Sequence, residues 1–166
     1  MFGFFKKRKA PSAMQSSAEA FVKSQFLISD EQPKDHVADP WALGYVFGAL
    51  TAVLQLMGRE PGPEALPFLL EGFQTVFEGA GENALDVAFS RTRDPDFAEA
   101  QLIGASEILA AAPGKPAPFG LGAYLGSGKG MGSESRQEVL QRLRDRAMER
   151  MTPDAFRRAL GAMTTG

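Results

Sequence analysis

Apolar residues recur along most of this chain at three- and four-residue intervals, the spacing that turns one face of an α-helix toward a core. Sustained apolar–polar alternation, the mark of a half-buried strand, is missing, and runs of β-branched residues are few. The pattern predicts an all-α fold. It is a single-domain helical bundle of about six to seven helices with a central apolar helix and a Gly/Pro-rich loop.

Caps place the helices. Ser16-Ser17-Ala18-Glu19 has the capping-box spacing, in which Ser takes the N3 amide and Glu reaches back. The helix it opens runs to about Ser29 and offers Phe21, Val22, Phe26 and Ile28 to the core. Asp39-Pro40-Trp41 gives an N-cap followed by Pro, where its missing N–H costs least. The stretch from Pro40 to Met57 carries no charge over 18 residues, the lower edge of a membrane span. Gln55 near its end and amphipathic neighbours favour a helix buried on all sides instead.

Further helices are expected from Glu64 to Glu78, with Leu66, Leu69, Leu70, Phe73, Val76 and Phe77 on one face, and from an Asn83 cap to about Arg91. Asp94-Pro95 opens another that runs to about Ala112. Ser135-Arg136-Gln137-Glu138 is a second capping box, leading a helix to about Met151. Thr152-Pro153-Asp154 caps a last one through Leu160. No repeat of fixed period is visible.

Residues 1–14 read as a flexible basic-aromatic tail, and 15–166 as the helical domain with a flexible loop at 113–133. Seven Gly and three Pro fall in that loop. A phosphate-binding loop would need Gly, four residues, Gly-Lys and then Ser or Thr. Here Gly128-Lys129 is followed by Gly130, and Ala123 stands at the first Gly position. The dinucleotide fingerprint fails in every frame. A hinge or partner-ordered segment is the other functional reading of the loop.

Composition excludes cysteine chemistry and multi-histidine sites. The chain has no Cys and one His, so no disulfide, thiolate zinc site or multi-histidine centre can be built. No metal and no cofactor is expected. His36 stands in Asp35-His36-Val37-Ala38-Asp39, where a carboxylate could orient it as a base. No nucleophile accompanies it, so a solvated or helix-capping His is the expectation. Glu64, Glu71 and Glu78 recur every seven residues, and a solvated acidic face is expected of them. No catalytic residue is assigned.

Charge is distributed unevenly. Residues 1–9 carry +4, residues 10–133 carry −8 and residues 134–166 carry +2, leaving a net −2. A nucleic-acid binder would normally be basic as a domain, so nucleic acid is an unlikely partner. The paired charges expected on the Arg-rich helix, Glu138–Arg142 and Arg146–Glu149, point the same way.

The tip is different in kind. Phe2, Phe4 and Phe5 stand beside Lys6, Lys7, Arg8 and Lys9. Aromatic rings insert at a bilayer interface, and nearby cations are drawn to an anionic leaflet. The segment resembles the short basic-aromatic starts of bacterial peripheral membrane proteins. It lacks the apolar run of a secretory signal.

Gly44, Gly48 and Ala52 form a small-residue stripe every four residues on the apolar helix. It is expected to serve close helix packing within the bundle, or contact with a second copy in a homodimer. The sequence thus reads as a non-enzymatic helical binding or assembly factor, cytoplasmic and peripheral to the inner membrane through its N-terminal tail, with an unidentified protein partner. The alternative is a small helical enzyme or nucleotide-dependent regulator using the glycine-rich loop 120–132.

Overall fold

A computed structural model describes residues 13–59, 62–110, 119–127 and 135–150. They form seven α-helices and no strand: α1 Ala13–Ile28, α2 Pro40–Leu56, α3 Leu66–Phe77, α4 Gly81–Ser90, α5 Pro95–Ala110, α6 Gly120–Gly126 and α7 Arg136–Arg150. One continuous apolar core runs through all seven, so the chain is a single-domain, all-α bundle. The tail residues Phe2, Phe4, Phe5, Lys6, Lys7, Arg8 and Lys9 lie outside the described residues, as does the helix expected from Thr152.

The centre of the bundle is α2. Asp39 leaves extended backbone, and its Oδ1 accepts the N–H groups of Trp41 at 3.0 Å and Ala42 at 3.4 Å. Pro40 follows as the first helical residue, where no hydrogen bond is lost. Twelve of the 17 residues of α2 are buried, which accounts for its lack of charge. Among the described residues, no helix is long and apolar enough to cross a membrane. The helix ends on Gly58, whose φ of +70° suits glycine, and the Arg59 amide closes back on the Leu54 carbonyl at 2.9 Å.

α2 packs chiefly on α5. A Cβ on Gly44 would run into the carbonyl of Phe97, and one on Gly48 into that of Gln101. Gly44, Gly48 and Ala52 are all buried within the chain. The small-residue stripe therefore serves helix packing inside the bundle. A contact with a second copy has no exposed residue among the three.

α1 differs from its expected form at its start and in part of its core face, and ends where expected. It begins at Ala13, and Ser16 lies inside it instead of capping it. Glu19 is turned inward and accepts from Gln15 Nε2 at 3.0 Å. The core face is Ala18, Val22 and Phe26, spaced four apart. Phe21 is one residue from Val22, about 100° around the helix, and is exposed together with Ile28. Asp30 ends the helix with φ +55°, and the Glu31 amide closes on the Phe26 carbonyl at 3.0 Å.

α3 keeps Leu69, Phe73, Val76 and Phe77 in the core, while Leu66 is exposed. Pro67 falls within its first turn, where it breaks nothing. Glu64, Glu71 and Glu78 do not share a helix face. Glu64 belongs to the tight turn before α3, and Glu78 lies past its end with φ +54° and pairs with Lys23 at 3.1 Å. α4 starts at Gly81, so Asn83 is inside the helix and is not its cap.

α7 has a true capping box. Ser135 Oγ accepts the Glu138 amide at 3.2 Å, and Glu138 Oε2 accepts the Ser135 amide at 3.0 Å. Its stripe of Val139, Leu140, Leu143 and Ala147 is buried. Arg144 pairs with Glu99, tying α7 to α5.

The flexible-loop expectation for 113–133 fails at residues 119–127. Gly120–Gly126 form α6, and Gly120, Leu121, Gly122, Tyr124 and Leu125 are buried. Leu121, Tyr124 and Leu125 are spaced three and four apart, and their burial offsets the low helix propensity of the glycines.

Candidate functional site

Two polar clusters converge on α6, drawn from helices distant in the sequence. In the first, the Tyr124 hydroxyl donates to both carboxylate oxygens of Asp39, at 3.1 and 2.9 Å. The Tyr124 ring stacks on Trp41, with centroids 4.1 Å apart and planes 15° from parallel. The Arg136 guanidinium lies 4.4 Å from the Tyr124 centroid on a ring already backed by Trp41. Burial first, and then the charge of Asp39, push the Tyr124 phenol above its ordinary range. This hydroxyl is a fixed donor and is not poised to lose its proton.

His36 joins this cluster from below. Its Nε2 is 3.1 Å from Glu31 Oε2, and its Nδ1 is 3.7 Å from Asp39 Oδ2. The ring also leans on Phe26, with centroids 5.8 Å apart. Both ring nitrogens face carboxylates, and no nucleophilic side chain stands beside them in the described contacts. The geometry makes His36 a bracket between the loop before α2 and the α2 cap.

The second cluster is buried. Tyr45 donates to Glu107 Oε2 at 3.1 Å, and Gln25 Nε2 donates to the Tyr45 oxygen at 3.2 Å. Glu107 Oε2 also accepts the Gly120 amide at 3.0 Å, while Gln25 Oε1 accepts the Gly122 amide at 2.9 Å. Burial is the largest effect on Glu107 and holds its carboxyl above the ordinary 4.5. Burial, then the Glu107 charge, push the Tyr45 phenol well above its range. The opening amides of α6 are thus held by side chains of α5 and α1. Residues 128–132 of the glycine-rich loop, which carry the nucleotide reading, lie outside the described residues.

A groove of about 390 Å³ lies between the end of α1 and the end of α3, with Phe26, Leu27, Pro33 and Phe77 in its walls and Lys23 and Lys34 at its rim. Among the described residues, no group of three or more His, Asp or Glu converges in a way that could hold a metal ion.

No protein-family model, curated protein or solved structure matches this chain.

The sequence pointed to His36 and Asp39 as neighbours, and the structure brings them together. It gave no sign of Gln25, Tyr45, Glu107 and Tyr124 as a group, because their partners lie 13 to 97 residues apart. The one available signal was Glu107 itself, which follows Ile103 by one helical turn and so shares its inward face.

Proposed function

We propose that this chain is a non-enzymatic helical binding or assembly factor that contacts an anionic membrane surface through Phe2, Phe4, Phe5, Lys6, Lys7, Arg8 and Lys9. The observation that carries the reading is the separation of charge: a +4 tip with three Phe precedes a stretch of −8. Each cation contributes ~1 kcal/mol against an anionic leaflet, at most ~4 kcal/mol together, before ring insertion adds to it. Ordering of the tail and repulsion from the acidic body reduce that sum, so the contact is weak and reversible. The cytoplasmic face of the inner membrane, which is anionic, suits it best.

The polar groups of the body support a binding role over a catalytic one. His36 is bracketed by Glu31 and Asp39, and Glu107 is committed to Tyr45 and Gly120. The body would then present a surface to a protein partner. Co-sedimentation of the full chain with vesicles tests the membrane contact. Binding to anionic vesicles that fades with added salt is expected. Equal binding to neutral vesicles, or none to anionic ones at low salt, would remove it.

A further inference from the structure

The outward face of α1 carries no acid: Glu19 is buried against Gln15, and the one charge at its edge is the half-exposed cation Lys23, which pairs with Glu78. What remains outside is Met14, Phe21 and Ile28, seven residues apart, with Leu27 beside them and Ser17 and Ser24 between. Leu27 is 71% exposed and Ile28 68%. The outer face of α4, by contrast, carries Glu82 and Asp86. An apolar face without acids, on a body of net negative charge, can approach a negative surface.

Its position supplies the occupant. α1 starts at Ala13, four residues beyond Lys9. Four residues span at most ~14 Å, so a tail held at a membrane keeps the start of α1 close to that membrane. The helix is ~24 Å long and ~10 Å wide, a footprint of roughly 240 Å². This footprint is sufficient for an interfacial helix, where buried apolar area and lipid electrostatics add to a neighbouring contact.

We propose that the outward face of α1 is the second half of the lipid contact, lying along an anionic membrane with Met14, Phe21, Leu27 and Ile28 at the acyl boundary while the tail cations hold the headgroups. The inference rests on the tail reading above. It orients the whole bundle, since α1 packs on α2, α3 and α6 through its opposite face.

The chain has no native Cys, so Ser17→Cys gives a unique labelling position on this face, and Glu82→Cys gives one on α4. Each full-length variant carries an environment-sensitive fluorophore and is mixed with vesicles of equal parts phosphatidylglycerol and phosphatidylcholine. The expected result is a blue shift of the label at position 17 and none at position 82. Phe21→Glu and Ile28→Glu should each weaken pelleting about tenfold or more with an unchanged melting temperature. Pelleting without a shift at position 17, and with both Glu variants binding like the parent, would overturn the α1 contact and leave the tail reading standing. A parent chain that never pellets would overturn both. A concentration-dependent shift without vesicles would overturn it in favour of a second copy.

Discussion

The Gly120 amide donates to Glu107 Oε2 at 3.0 Å, and a Cβ at Gly120 would collide with the same carboxylate. The first turn of α6 is therefore seated on a buried acid that only glycine lets it approach. Burial raises the Glu107 carboxyl above 4.5, so the folded chain keeps this proton to higher pH than the unfolded chain does. The stability it contributes is fully present below the unfolded value and is lost as pH rises through the raised one. Glu107→Gln cannot ionise and escapes that loss. Relative to the parent, the variant should gain stability as pH climbs above ~4.5. Chemical denaturation across pH checks this, and parallel curves for the two proteins would contradict it.

Tyr124 joins α6 to the cap of α2 through Asp39, 85 residues away in sequence. Tyr124→Phe keeps the stack on Trp41 and removes only the hydrogen bond to a charged group. A loss of about 1–2 kcal/mol is expected in urea denaturation. A neutral result would show that the Asp39 cap stands without Tyr124.

Gly48 faces the backbone carbonyl of Gln101, where no flexible side chain can move aside. Gly48→Ala should destabilise by about 2 kcal/mol or more, although alanine is the better helix former by ~1 kcal/mol. An increase in melting temperature would show that α2 and α5 are less closely apposed.

The reciprocal bonds between Ser135 and Glu138 are the one capping box that forms as its sequence predicts. Ser135→Ala should cost about 1 kcal/mol, read from thermal or urea unfolding.

These residues also show what a linear reading can and cannot reach. Caps that act within three residues, such as Asp39 and Ser135, were legible because donor and acceptor are neighbours in the chain. The Ser16 box was misleading. The same residues fit inside a helix once Ala18, Val22 and Phe26 bury one face and Gln15 takes the Glu19 carboxylate. α6 was hidden by its glycines, although Leu121, Tyr124 and Leu125 already had helical spacing. What decided the outcome was tertiary: Gln25 and Glu107 supply the amide partners that a short glycine-rich helix lacks by itself.

The central claim is that cations at the tip attach an acidic helical body to an anionic surface. The most direct measurement is vesicle binding by the full chain with Lys6, Lys7, Arg8 and Lys9 all replaced by Gln. The account predicts that the parent binds anionic vesicles at low salt and releases them as salt rises. The variant should no longer bind, while melting at the same temperature. Undiminished binding by the variant, or no binding by the parent at low salt, would contradict it.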